Sequence, residues 1–186
     1  MRRPIPINIP NTLTLLRILL TPLFAIFLIK HLFDFALLVF AIAALSDGVD
    51  GFIARVFHQK TTLGAFLDPA ADKLLLVTAF VTLAIQEQIP SWLSVLVITR
   101  DVIILSGIAL LTITGRTFVP KPSILSKITT VAQLACVLFV LARHHNTPEI
   151  AHLHIQSPLF WFTAGVTMVS GFQYIYRGLN ILQEEP

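Results

Sequence analysis

Six windows of roughly twenty mostly apolar residues follow one another along the chain, at 12–30, 35–57, 65–86, 90–113, 124–142 and 158–180. A helix needs about 20 such residues to cross the hydrocarbon of a bilayer. Inside lipid each backbone N–H and C=O has to be satisfied internally, which leaves helices or closed barrels, and runs of this length select helices. The expected fold is therefore all-α, an integral membrane protein with six transmembrane helices forming one domain over residues 1–186.

Composition agrees. Hydrophobic residues make up 55% and charged residues 12%, with a mean hydropathy of +0.82; a water-soluble domain carries about a quarter charged residues. The formal charge of +3 and pI near 9.4 do not imply nucleic acid as a partner. Apart from the adjacent Arg2 and Arg3, the Lys and Arg are scattered singly among apolar runs and form no basic stripe. Cys136 is the only cysteine and lies in "VAQLACVLFVLA", so neither a disulfide framework nor a cysteine zinc cluster can form within the chain.

The opening "MRRPIPINIPNTLTLLRILLTPLFAIFLI" superficially resembles a secretory leader. Its apolar part is too long, contains Arg17 and lacks a small-residue cleavage site, so a retained first span is expected. Pro4, Pro6 and Pro10 alternate with Ile5, Ile7 and Ile9. The expectation is a short segment along the membrane surface, with regular helix only after Pro10 and Asn11 or Thr12 as N-cap. The side holding both termini collects Arg2, Arg3, Arg17, Arg55, Lys60, Arg116, Lys121, Lys127 and Arg177, against Lys30 and Arg143 opposite. By the excess of positive charge, the termini are expected to be cytoplasmic.

Against this background "SDGVDGFIARVF", residues 46–57, is conspicuous, because charge inside a span is expensive. Asp47 and Asp50 are three apart and share a helical face with Gly51 and Ala54, which leave a shallow slot beside the acids. Asp68 and Asp72 are four apart on the next span, with Gly64 one turn earlier. Two antiparallel neighbours would bring four carboxylates to one depth, where they repel unless cations intervene. Oxygen-only ligands favour a hard ion, Mg²⁺ or Mn²⁺. Arg55, a turn beyond Asp50, is placed to hold a phosphate that the metal also touches. Together these residues suit a substrate bearing a diphosphate. Plainer readings exist for single residues: Asp68 before Pro69 as an N-cap, and Asp47 with Arg55 as a structural ion pair. Neither accounts for four acids on two facing stripes interleaved with glycine.

The spacing Asp47-x2-Asp50-Gly51-x2-Ala54-Arg55-x8-Gly64-x3-Asp68-x3-Asp72 matches all eight fixed positions of the signature of the CDP-alcohol phosphotransferases, and the chain resembles that family. "NIPNTLTLLRILLTP", "TRDVIIL" and "SKITTVAQL" look like its phosphatidylglycerophosphate and cardiolipin synthase branch. The resemblance implies a homodimer of six-helix subunits in a bacterial-type inner membrane, with the site open to cytoplasm and lipid. It further implies two divalent ions on Asp47, Asp50, Asp68 and Asp72, and a CDP-linked lipid, CDP-diacylglycerol, received by Gly51, Ala54, Arg55 and Gly64. Asp72 is also implied as the general base, and it lies furthest along its stripe, facing an acceptor rather than the nucleotide.

For the acceptor, Arg100 and Asp101 lie mid-span in "VLVITRDVIIL" and Lys127 opens the fifth span. Ionisable residues at that depth mark function by default, with pairing of Arg100 to Asp101 as the plain alternative. In this branch the matching Arg and Lys are implied to hold an acceptor phosphate. Lys73 joins them or simply snorkels to the interface. A glycerol-phosphate acceptor follows: glycerol 3-phosphate is favoured, with phosphatidylglycerol as the cardiolipin synthase alternative that "RDV" and "KPSILSK" resemble. Remoter readings are a prenyltransferase, which would lack Gly-x2-Ala-Arg after the second acid, and an ion-coupled transporter, which would show repeated halves. His144, His145, His152 and His154 read as solvated loop residues, and Trp92, Trp161, Tyr174 and Tyr176 as interfacial anchors.

Overall fold

The computed structural model describes residues 9–56, 62–113, 123–144 and 156–183; within these, 9–11, 13, 47–56, 62–70, 111–113 and 181–183 are helical backbone whose side chains are outside the described set. The described residues form six helices and no strand: α1 (Ile9–Ile29), α2 (Phe33–Val56), α3 (Thr62–Ile85), α4 (Ser91–Ile113), α5 (Ile124–Ala142) and α6 (Gln156–Gln183).

Two expectations about proline are corrected. The helix α1 begins at Ile9 and takes in Pro10, instead of starting after it. Proline is tolerated in a first turn because its missing N–H would have had no intrahelical partner there. Likewise α3 runs unbroken from Thr62 through Pro69, so position 68 lies inside the helix and Asp68 is not its N-cap.

Helices α1 and α3 end alike. His31 (φ 56°) and Glu87 (φ 58°) both adopt left-handed backbone. After α1, the N–H of Leu32 bonds the carbonyl of Phe27 at 2.9 Å and that of His31 bonds Leu28 at 2.8 Å. After α3, Gln88 bonds Leu83 at 2.9 Å and Glu87 bonds Ala84 at 3.1 Å. These are Schellman caps, which satisfy the last carbonyls and turn the chain back at once. Both turns are therefore tight, and α2 and α4 return antiparallel to their predecessors.

Helix α1 packs on α2 and α3, and α6 on α4 and α5; contacts of α5 with α2 and α3, and of α4 with α3, join the two groups. Phe24, Leu28, Phe40, Phe80, Leu83, Val97 and Val137 fill the core. The rings of Phe24 and Phe40 meet at 5.3 Å. Outward faces are apolar too: Leu19, Leu38, Leu45, Ile85, Val95, Val131 and Phe172 are all exposed. An exterior of this kind suits hydrocarbon and not water. Among the described residues, Ser91–Leu110 and Ile124–Ala142 are long and apolar enough to cross a membrane, and Thr14–Ile29 and Phe33–Ser46 are shorter apolar stretches.

Cross-links show that α1 runs parallel to α3 and α4 parallel to α6. Gln86 donates to the carbonyl of Leu28 near one end of the first pair, and Arg17 meets Asp72 further along. Trp92 and Trp161 lie 5.0 Å apart near the start of the second pair, and Arg100 reaches Ser170 deeper in. His144 is not a solvated loop residue: it stacks on Phe33 at 3.9 Å and donates from Nδ1 to the carbonyl of Val140 at 3.0 Å. His145, His152 and His154 lie outside the described residues.

Candidate active site

The helical backbone of α2 carries positions 47, 50, 51, 54 and 55, and that of α3 carries 64, 68 and 72. Continuity through Pro69 preserves the i,i+4 relation between 64, 68 and 72 along one face. The side chains of Asp47, Asp50, Gly51, Ala54, Arg55, Gly64 and Asp68 are outside the described residues, and among the described residues no cluster of three metal-ligating side chains occurs. Asp72 is described. Its carboxylate is 36% exposed, and its Oδ1 accepts from Nη1 of Arg17, a side chain only 1% exposed. A small cavity of about 30 Å³ adjoins the pair, walled by Ala43, Ala44, Leu75 and Thr130.

This partnership is absent from the reading of the sequence, which treats Arg17 as a topology charge. The cue was available: an arginine in the middle of an apolar span needs a partner, the same logic applied to Arg100. Thr21 reinforces the local geometry by bonding its hydroxyl to the Arg17 carbonyl at 2.9 Å, just before Pro22 removes a helical N–H.

One residue beyond Asp72 a second polar cluster begins. Lys73 Nζ donates to Asp101 Oδ1 of α4 at 2.6 Å, and Arg100 Nη1 donates to the same oxygen at 2.7 Å. Arg100 Nη2 donates to Ser126 Oγ of α5 and Ser170 Oγ of α6, each at 2.8 Å. The Tyr174 ring lies 5.7 Å from the guanidinium carbon, within cation–π range. Tyr174 thus faces the bundle instead of serving as an interfacial anchor. Gly171 of α6 packs against the aliphatic part of Arg100, where a Cβ would sit in ordinary contact, 3.6 Å from Cγ. Ser126 is fixed by the start of α5, where the N-cap Ser123 accepts its N–H at 3.1 Å.

The pairing of Arg100 with Asp101 and the bond of Lys73 to the same acid are therefore both real, and Lys73 does not snorkel away. Lys127, the remaining predicted acceptor residue, is exposed on α5 beside Ser126. An apolar groove of about 290 Å³ between α4 and α6, lined by Trp92, Val95, Thr99, Met168 and Phe172, leads to Arg100.

The sequence profile of the CDP-alcohol phosphatidyltransferases matches residues 7–169. The chain belongs to the CDP-alcohol phosphatidyltransferase family. Over 96% of its length it is 36% identical to the human cardiolipin synthase (CMP-forming), of which it spans 64%. It is 33% identical to the CDP-diacylglycerol--glycerol-3-phosphate 3-phosphatidyltransferase of Bacillus subtilis over 95% of the chain and 97% of that protein. It is 35% identical to the Escherichia coli K12 protein of the same name over 90% of the chain and 93% of that protein.

Membership in the CDP-alcohol phosphatidyltransferases sets aside the prenyltransferase and transporter readings. The Arg17–Asp72 pair and the Lys73–Asp101–Arg100 chain abut through consecutive residues of α3. The acids at the signature positions offer only oxygen donors, a set that fits hard divalent cations.

Proposed function

We propose that this chain is a membrane-embedded phosphatidyltransferase that moves the phosphatidyl group of CDP-diacylglycerol to a hydroxyl of glycerol 3-phosphate, forming phosphatidylglycerophosphate and releasing CMP. The observation that carries the reading is the adjacency of an acid and a cation cluster: Asp72 is followed by Lys73, whose ammonium shares Asp101 with Arg100. An acid beside a positively charged pocket is what a phosphorylated alcohol needs if its hydroxyl is to be deprotonated where it is held. The six helices are read as six membrane spans, in a homodimer of a bacterial-type inner membrane with termini and site toward the cytoplasm.

In this mechanism Gly51, Ala54, Arg55 and Gly64 receive the CDP moiety. Asp47, Asp50, Asp68 and Asp72 would hold two divalent ions, Mg²⁺ or Mn²⁺, whose charge offsets that of the diphosphate and the departing CMP. Arg100, Lys73 and Lys127 hold the acceptor's phosphate. Asp72 takes the proton of the acceptor hydroxyl as its oxygen bonds to the phosphorus that carries diacylglycerol, and the bond from that phosphorus to CMP breaks. Arg55 steadies charge on the group in transfer, and no covalent intermediate on the protein is required.

A second reading, cardiolipin synthesis with phosphatidylglycerol as acceptor, is favoured by the groove between α4 and α6. Its apolar walls lead to Arg100 and suit an acceptor that brings acyl chains. Purified protein in detergent, given CDP-diacylglycerol and Mg²⁺ with either acceptor, separates the two by its lipid product. CMP release with glycerol 3-phosphate is the expected result; no CMP with either acceptor ends the transferase reading.

A further inference from the structure

Asp101 does more than join α3 to α4. Its Oδ1 accepts from both Lys73 and Arg100, at 2.6 and 2.7 Å, while its Oδ2 is buried and has no hydrogen-bond partner among the described residues. Arg100 Nε is likewise buried and unpartnered. An orphaned buried acceptor costs about 1–3 kcal/mol, so this carboxylate is kept at a cost in stability. Apolar side chains of similar volume would tie the helices at least as well. Among the described residues the charges do not balance either: two cations share one acid, and Ser126, Ser170 and Tyr174 around them are neutral. The cluster therefore carries a surplus positive charge next to Asp72.

We propose that Asp101 is the positioning residue of the acceptor side. Through Oδ1 it holds the Arg100 guanidinium and the Lys73 ammonium together against their mutual repulsion, so that the surplus charge is presented to the phosphate of the acceptor. Asp101 does not itself touch the acceptor. This rests on the reading above that Arg100 and Lys73 receive that phosphate. Because Asp101 acts on the acceptor alone, its loss weakens the acceptor and leaves the CDP-lipid unaffected.

The test uses full-length Asp101→Asn in detergent, with whichever of glycerol 3-phosphate and phosphatidylglycerol the parent protein turns over. The expected result is a rise in acceptor KM of about tenfold or more, with KM for CDP-diacylglycerol unchanged. Asp101→Glu keeps the charge and moves it by one methylene, so it should raise acceptor KM only about threefold, and it serves as the test if the asparagine variant does not fold. That same acceptor alone should raise the melting temperature of the parent protein but not of Asp101→Asn, whereas CDP-diacylglycerol should stabilise both. Unchanged acceptor KM, or parallel loss of both ligands, overturns the assignment. If the parent protein releases no CMP yet glycerol 3-phosphate stabilises it and Asp101→Asn cancels the effect, the transferase reading falls and the role of Asp101 stands.

Discussion

Arg17 on α1 donates to Asp72 on α3 across 55 residues of sequence, with the guanidinium 1% exposed and the carboxylate 36% exposed. A cation stripped of water to this degree requires its acid, whereas the acid remains partly exposed. The donor is fixed by burial, so it sets the orientation of a carboxylate that can still face a substrate.

Loss of this partner should therefore damage turnover more than binding. Arg17→Met is expected to lower kcat by about 10–100-fold, the usual effect of removing a group that orients a reactive one. Arg17→Lys should recover part of it, since an ammonium supplies charge without the planar fork. Steady-state kinetics with CDP-diacylglycerol decide the matter: a kcat for Arg17→Met within twofold of the parent would dismiss the orienting role.

Asp72→Asn separates chemistry from binding. The amide keeps the size of the side chain and cannot take a proton, so turnover should fall on the order of 10²–10⁴-fold. CDP-diacylglycerol binding, followed by thermal shift, should survive, while metal affinity weakens only by the loss of one of four charged ligands. Near-normal turnover would remove Asp72 as the base.

The helices were legible because their signal is local. Residues 124–142 are expected to be helical and α5 is Ile124–Ala142; 90–113 is expected and α4 is Ser91–Ile113, each bounded by a proline just outside. Proline misled where its position within a turn matters, at Pro10 and Pro69. The polar clusters were legible only in part. Arg100 with Asp101 is a sequence neighbour, but Ser126, Ser170 and Arg17 reach their partners across 26, 70 and 55 residues, distances that only helix packing closes. No periodicity within a single span encodes which serine will face which arginine.

Divalent ions should be required. Exhaustive chelation with EDTA is expected to abolish CMP release, and Mg²⁺ or Mn²⁺ to restore it, because the signature acids offer only oxygen ligands. Ion binding to the folded protein should also raise its melting temperature, since an ion at a hundred times its Kd stabilises by about 2.7 kcal/mol. Full activity in metal-free protein would refute the assignment of Asp47, Asp50, Asp68 and Asp72 as ligands.

The cap after α3 offers a test of the fold that leaves the proposed site untouched. Glu87 holds φ at 58°, a conformation that costs an L-residue roughly 1–2 kcal/mol and glycine almost nothing. Its backbone N–H bonds Ala84, and the cap needs no side chain at that position. Glycine also loses more freedom on folding, which offsets part of the gain. Glu87→Gly should therefore stabilise the protein by about 0.5–1 kcal/mol and raise its melting temperature by a few degrees, with kcat unchanged. A lower melting temperature would mean that the carboxylate contributes more at this turn than the backbone geometry implies.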